Sequence, residues 1–442
     1  ADVAKGQHRQ VGLQFADAQF GFGQPGLEGG RQAAVFVGGA AVVDGGLSRR
    51  ARRRAFFLVL PLLIFLIVTF VYPIGAMLSR SVYNPVVSEL IPDSAKALSA
   101  WDGTGMPDTA AITAFALDLR RLQEERNAGR LAQELNRITP GLSGTVQSTA
   151  RKLRTIAPEE LAADAPATLT GIDPAWSQRP VWATLKEATR VYTDRHFLTA
   201  LDLERAEDGS ISGRTSARIY LKLYAKTMKI GFFITLLTLV LGYPLAYFLA
   251  HQPRQRANML MIFVLLPFWT SLLVRTTAWI ALLQTNGVIN SLLMGLGLTS
   301  SPIEVLYTET ATIIAMTHIL LPFMVLPLYS VMISLDGSYV RAAMSMGATP
   351  FRAFLTVYLP NTVTGISAGA MLVFIISVGY YITPALVGGT DGQMISNLIA
   401  FHMQQSNNWG LAAALGSLLL ALILVLYWIF DRLFGMDNIK LG

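Results

Sequence analysis

The stretch Ser338-Tyr-Val-Arg-Ala-Ala-Met-Ser-Met-Gly-Ala-Thr-Pro-Phe-Arg-Ala-Phe-Leu-Thr-Val-Tyr-Leu-Pro360 lies between two long apolar runs. Its local chemistry predicts a helix–turn–helix. Tyr339–Met346 reads as a short helix stopped at Gly347, the residue that most easily takes the left-handed conformation past a helix end. Thr349 can cap a second helix, with Pro350 in the first position, where a missing N–H costs little. Phe351, Phe354 and Leu355 are expected to share a face. Leu359-Pro360 is expected to end that helix and lead into the next run. Small Ala342 and Ala343 leave room for the close approach of another surface; the plain alternative is an amphipathic loop with no partner.

The flanking runs set the solvent. The chain has 442 residues, 52% hydrophobic and 14% charged, against about 25% charged in a soluble protein. Six runs are long enough to cross a bilayer: Ala55–Leu78, Ile230–Ala250, Met259–Leu283, Ala311–Leu335, Thr362–Val387 and Gly410–Phe430. Even the shortest gives about 31 Å of helix against roughly 30 Å of hydrocarbon. In lipid the backbone must satisfy its own hydrogen bonds, so the runs are expected to be helices. The predicted fold class is an all-α integral membrane protein with six transmembrane helices.

Charge orients these helices. Residues 80–222 hold 18 Lys and Arg against 18 Asp and Glu, so the excess of +7 lies elsewhere. It gathers at the ends of apolar runs, which favours a membrane surface over nucleic acid. Arg49–Arg54, Arg254, Arg256, Arg341, Arg352, Arg432 and Lys440 all fall on one side of the six-span arrangement. By the positive-inside rule that side, with both termini, is cytoplasmic. Lys226 and Lys229 depart from the pattern, as residues beside a long translocated segment can.

The expected organisation follows. Residues 1–48, with eleven glycines in the first fifty residues and no helical or strand period, are expected to be a disordered tail or an over-extended translation start. Residues 49–78 form the first transmembrane helix with its basic flank, and 79–224 a large, mostly helical periplasmic insert. Residues 225–435 hold the other five spans and the loop 338–360, with a cytoplasmic tail at 436–442. Within the insert, Ile112, Phe115, Leu119 and Leu122 make one helical stripe, and Leu131, Leu135 and Ile138 continue one before Pro140. Val146, Ala150, Leu153 and Ala157 suggest a further helix, and Trp176 and Trp182 could anchor a small core.

The loop resembles the EAA loop of ABC importer permeases, whose pattern is Glu-Ala-Ala, three residues, Gly, nine residues, Ile, any residue, Leu-Pro. Ala342 and Ala343 match the alanines, Gly347 the glycine and Leu359-Pro360 the final pair, with Val357 in the Ile position. Arg341 stands where the family has Glu. The resemblance implies docking in a cleft of a separate ATPase subunit that transmits nucleotide-driven closure. Gly242–Ala250, Leu266–Thr277 with Trp279, Gly379–Gly389 and Trp409–Gly416 are similar to the spermidine/putrescine-type branch, over roughly residues 229–430. The large insert is not typical of that branch.

This likeness implies the expected partners: ABC ATPase subunits, a second permease or a second copy of this chain, a periplasmic substrate-binding protein, a small solute and the inner-membrane lipid. The chain lacks GxxxxGK[S/T] and any Gly-Lys pair, so ATP is expected on the partner. No metal or other cofactor is expected, and there are no cysteines.

Arg275 is the one formal charge inside a predicted span. Such charges face the protein interior, so it is a candidate for the translocation path, with a structural pairing to Glu304 or Glu309 as the stronger alternative. Trp279, Tyr380, Tyr381 and Thr383 are further candidates; the tyrosines could offer π-faces to a cation or simply pack at the interface. His318 reads as an interhelical histidine. Glu304, Glu309 and Asp391 make the outer loops acidic, which would concentrate cations. Import of a polyamine-like solute is the leading expectation, with another amino-group-bearing solute next. A membrane sensor lacks an output domain. A secondary transporter should show paired carboxylates or inverted repeats with broken helices, neither of which is visible in the sequence. Nor is any enzymatic nucleophile–base pair.

Overall fold

Apolar runs without access to water close their backbone hydrogen bonds within themselves, and nearly every described element of this protein is a helix. The computed structural model describes residues 49–205, 210–214 and 218–434; the expectations for 1–48 and 436–442 lie outside them. The chain divides into two compact units, Ala1–Ile64 and Phe65–Gly442. In the first, the described residues belong to a helix that begins at Arg49.

Among the described residues, four helices are individually long and apolar enough to cross a membrane: Phe56–Ser79, Tyr220–Ala250, Glu309–Ser334 and Trp409–Arg432. Two further candidates are bent pairs, Arg254–Trp269 with Leu272–Gly295 at 95°, and Pro350–Asn361 with Val363–Gly379 at 60°. The spans therefore number four to six by length and composition. Broken helices do occur, contrary to the sequence reading. Met259–Leu283 is not one straight helix, because Thr270 turns to extended backbone and Ser271 caps a new start by accepting from the Val274 N–H at 3.2 Å.

The membrane part packs around Glu309–Ser334, flanked by Tyr220–Ala250 and Val363–Gly379. Small residues permit the approach. A Cβ at Gly369 would stand 2.8 Å from Met324 Sδ, and one at Gly242 would stand 3.0 Å from Met324 Cγ. Pro73 and Pro360 each follow a π-helical turn, Ile67–Val71 and Phe354–Tyr358. Proline has no N–H and its ring crowds the carbonyl four residues back. In both places the preceding residue donates five residues back instead, Tyr72 to Ile67 O and Leu359 to Phe354 O. The wider turn accommodates the ring, and the helix ends one residue past Pro360, at Asn361, before the 60° bend into Val363–Gly379.

Short helices from Val86 to Ala188 form a second hydrophobic core. Its centre is Phe115, Trp176 and Trp182, all 1% exposed or less. The indoles are satisfied as burial requires: Trp176 Nε1 donates to Thr149 Oγ1 and Trp182 Nε1 to Trp176 O, each at 2.9 Å. Ile112, Leu119, Leu122, Leu131 and Leu135 are buried around them. Ala157 is not: its helix ends at Leu153, and Ala157 starts the next one in extended backbone. The chain enters and leaves this core side by side, with Tyr83 bridged to Tyr192.

A short antiparallel pair, Leu203–Arg205 with Ile211–Gly213, departs from the all-helical expectation. Beside it the buried Asp202, at φ +56°, caps the helix that begins at Tyr220, inside the residues assigned to the insert. Its carboxylate accepts from the N–H groups of Ile219, Tyr220 and Leu221 at 3.1, 3.2 and 2.8 Å. A cap reaching back over so many residues leaves no local sequence signal.

Candidate functional site

The loop folds as its residues dictate. Ser338–Ser345 is helical, Gly347 takes φ +91°, and the Thr349 hydroxyl accepts from Arg352 N–H at 3.3 Å to start Pro350–Ala353. Ala343 and Ala353 are buried against the rest of the protein. Ala342, Gly347 and Pro360 are exposed, whereas Val357 and Leu359 are half-buried.

Phe351, Phe354 and Leu355 do not act as one face. Phe354 turns inward, stacked on Tyr358 at 5.7 Å and edge-on to Tyr243 and Tyr247. Phe351 is 72% exposed and Met346 83%, and Tyr339, Met344 and Leu355 are exposed with them. The loop thus has an aromatic base and an apolar outer surface. Tyr243, Tyr247 and His251 repeat at four-residue intervals, as do Phe354 and Tyr358. That helical spacing was the available signal for the base.

Arg341 folds back beside Gly337, with one guanidinium nitrogen 3.2 Å from where a Cβ would stand. Its charge acts on Asp336. The Ser338 N–H, at 2.8 Å, is the main cause holding the Asp336 carboxyl below its ordinary range, with Arg341 adding to it. The residue in the family's Glu position therefore has a carboxylate neighbour in its own loop.

The 95° bend gathers most of the path candidates. Arg275 donates to Thr270 Oγ1 at 3.3 Å, to Thr270 O at 2.9 Å and to Pro267 O. It thereby satisfies carbonyls left over where Arg254–Trp269 ends. Among the described residues the expected pairing with Glu304 or Glu309 is not formed: Arg275 bonds to two carbonyls and the Thr270 hydroxyl, and Glu309 is held by Lys229 at 2.8 Å. Beside Arg275, Thr276 faces the buried Thr383, their hydroxyls 3.4 Å apart, and one turn along Trp279 Nε1 donates to His318 Nδ1 at 3.3 Å. Tyr380 follows the end of Val363–Gly379, three residues before Thr383. Arg275, Trp279, Tyr380 and Thr383 thus share one region, joined by Thr270, Thr276 and His318. Tyr381 is exposed and tied through its carbonyl to Asn397 at 2.7 Å.

At the far end of Tyr220–Ala250, Lys226 pairs with Asp391 at 3.5 Å and Lys229 with Glu309. The Glu309 N–H and then the Lys226 charge hold the Asp391 carboxyl below its usual range. Two of the three acids expected to attract cations are thus engaged locally, and their lysines are the two that departed from the charge pattern.

Residues 219–434 match the family of binding-protein-dependent transport system inner membrane components. The spermidine/putrescine transport system permease protein PotB of Escherichia coli (strain K12) is 35% identical over 218 residues, covering 49% of this chain and 79% of that protein. The chain belongs to this family. PotB of Haemophilus influenzae (strain ATCC 51907 / DSM 11121 / KW20 / Rd) is 34% identical over 218 residues, covering 49% and 76%. The inner membrane ABC transporter permease protein YdcU of Escherichia coli (strain K12) is 30% identical over 227 residues, covering 48% and 70%. Membership makes the chain a multi-pass inner-membrane permease component of an ABC importer, with ATP hydrolysis assigned to a separate subunit. The family match begins one residue before the helix Tyr220–Ala250, so the first apolar helix and the core around Trp176 and Trp182 lie outside it.

Proposed function

We propose that the chain forms half of the membrane path of an importer for a spermidine- or putrescine-like solute. Four straight and two bent helices make six crossings, both ends face the cytoplasm, and residues 79–224 stand on the periplasmic side. A second permease or a second copy supplies the other half. A periplasmic binding protein delivers the solute, and ATPase subunits dock on the loop 338–360.

The observation that carries this reading is the two-sided loop. Its base is fixed by Phe354, Tyr358, Ala343 and Ala353, while Tyr339, Met344, Met346 and Phe351 present apolar surface outward. Large exposed apolar side chains gathered on one short loop suit it to an interaction surface. Arg341, Ala342, Ala343, Gly347, Val357, Leu359 and Pro360 shape that contact. The polar bend with Arg275, Trp279, Tyr380 and Thr383 lines the path, and Tyr381 stands at its edge. No Asp or Glu lies within the six apolar runs, so selection of a cation rests mainly on the binding protein. The relatives named for spermidine and putrescine support the solute class; another small amino-group-bearing solute would follow the same route.

Reconstitution with the cognate ATPase tests the reading. Deleting Ala342–Gly347 should leave the chain inserted but lower ATPase co-purification and ATP-driven uptake by at least about tenfold, equivalent to ~1.4 kcal/mol of docking. Intact assembly and uptake would refute docking through this loop. Failure of putrescine and spermidine to be taken up by the unmodified complex would remove the polyamine assignment alone.

A further inference from the structure

Energy released on a separate ATPase subunit reaches a membrane path only as movement across a contact. Along the chain, the loop 338–360 follows Glu309–Ser334 and leads into Val363–Gly379. Its rings, however, grip a third helix, the C-terminal end of Tyr220–Ala250. Tyr247 meets Tyr358 at 5.2 Å and Phe354 at 5.8 Å, both edge-on, and Tyr243 meets Phe354 at 6.1 Å. The grip extends past the loop. Thr362 Oγ1 donates to Leu359 O at 2.8 Å, so the Tyr243 O–H donates to Thr362 Oγ1, at 3.0 Å. Thr362 is buried at the 60° bend between Pro350–Asn361 and Val363–Gly379.

The two arms of that bend differ. Val363–Gly379 has no slack: a Cβ at Gly365 would stand 3.1 Å from Val331 Cβ, and one at Gly369 2.8 Å from Met324 Sδ. Pro350–Asn361 exposes Phe351 and Leu355 and contains the π turn Phe354–Tyr358, and such turns recur at functional sites. A pull on the loop is therefore taken up at the bend, with Tyr243 and Tyr247 held against the arm that moves.

Tyr358 gives an independent sign. It is 8% exposed, yet its hydroxyl has no hydrogen-bond partner among the described residues. A buried hydroxyl left so costs stability, and an acceptor is close by. The His251 ring lies 4.2 Å from that of Tyr247 and 5.9 Å from that of Tyr358. His251 Nδ1 is 2.8 Å from Tyr247 O, which can only accept. In the neutral ring this puts the proton on Nδ1 and leaves Nε2 as an acceptor.

We infer that Tyr247 and Tyr358 are positioning residues for ATP-driven import. Their packed rings carry the displacement of the docked loop to Tyr220–Ala250, and in the displaced position the Tyr358 O–H donates to His251 Nε2. A hydroxyl idle in one position and bonded in the other favours the second, so ATP has less of the shift to supply. The inference rests on ATPase docking at the loop 338–360.

Because the chain has no cysteine, a single bimane fluorophore can be placed on Leu241→Cys, an exposed position of Tyr220–Ala250, in the full complex with the cognate ATPase. ATP should change its emission saturably, with no solute required. Tyr247→Ala should retain ATPase co-purification but shrink that change at least about fivefold, and Tyr247→Phe should restore it. Tyr358→Phe should keep the full change yet need about fivefold more ATP at the midpoint, the effect of one hydrogen bond. His251→Phe and the double variant should need the same, because all three remove a single bond. A full change in Tyr247→Ala, additive midpoint shifts in the double variant, or emission that ignores ATP in the unmodified complex would each overturn the inference while the ATPase stays bound. An ATPase that failed to co-purify with the unmodified chain would instead sink the docking reading, and this inference with it.

Discussion

The core around Trp176 and Trp182 and the helices around Glu309–Ser334 share one chain and invert each other's composition. In the first, the largest side chains are innermost and Arg, Glu and Lys cover the outside, with ion pairs such as Arg120–Glu124 at 3.2 Å. In the second, the interior contacts use Gly242, Gly365, Gly369, Ala315, Thr238 and Met324, while Phe263, Trp269 and Leu273 point outward. Water rewards burying large apolar groups. Lipid does not distinguish a leucine inside from one outside, so close backbone approach decides the packing there. The two regions are therefore stabilised by different terms and should fail differently.

Trp182→Ala should give the largest effect, a loss of about 3–5 kcal/mol in the insert, read as a lowered unfolding midpoint for that region. If the helices around Glu309 lost as much stability, the two cores would not be separable. Gly369→Val should cost about 1–3 kcal/mol by pushing Met324 away, with the insert unaffected; limited proteolysis of the two regions would tell them apart. His196, buried against Gly410 at the start of Trp409–Phe434, makes that junction pH-sensitive. Burial, then the charges of Arg195 and Arg137, put its folded pKa below its unfolded value of 6.5, so the unfolded chain binds the extra proton between pH 6.5 and about 3. Its contribution is full above pH 6.5 and should fall by about 1.4 kcal/mol per unit as pH drops through that window. His196→Gln should flatten the profile, and an unchanged slope would assign it to other groups. Trp269→Ala should be mildest, within about 0.5 kcal/mol, since Trp269 is 85% exposed. A larger loss would mean that Trp269 is buried in the assembled importer.

What could be read from the sequence divides along the same line. Local rules carried the loop: Gly347 and Thr349 do what their chemistry dictates within a few residues. The periodic stripes of the insert were equally visible, because burial in water leaves a helical repeat. The bend at Thr270–Ser271 was hidden within an unbroken apolar run, since a membrane run keeps its hydropathy when its helix breaks. Arg275 could be recognised as special, but its partners could not. They are mainly carbonyls, which no side-chain pattern records, with the Thr270 hydroxyl beside them. The same limit applied to the Lys226–Asp391 and Lys229–Glu309 pairs, whose members are distant in sequence.

The Asp202 cap bears on how the insert could be exchanged. A chimera that cut the chain just before Tyr220, where the family match starts, would strip the helix Tyr220–Ala250 of the carboxylate on its first N–H groups. A graft of the permease part onto another host therefore needs its boundary moved upstream, so that Asp202 and the strand pair beside it travel with the helix.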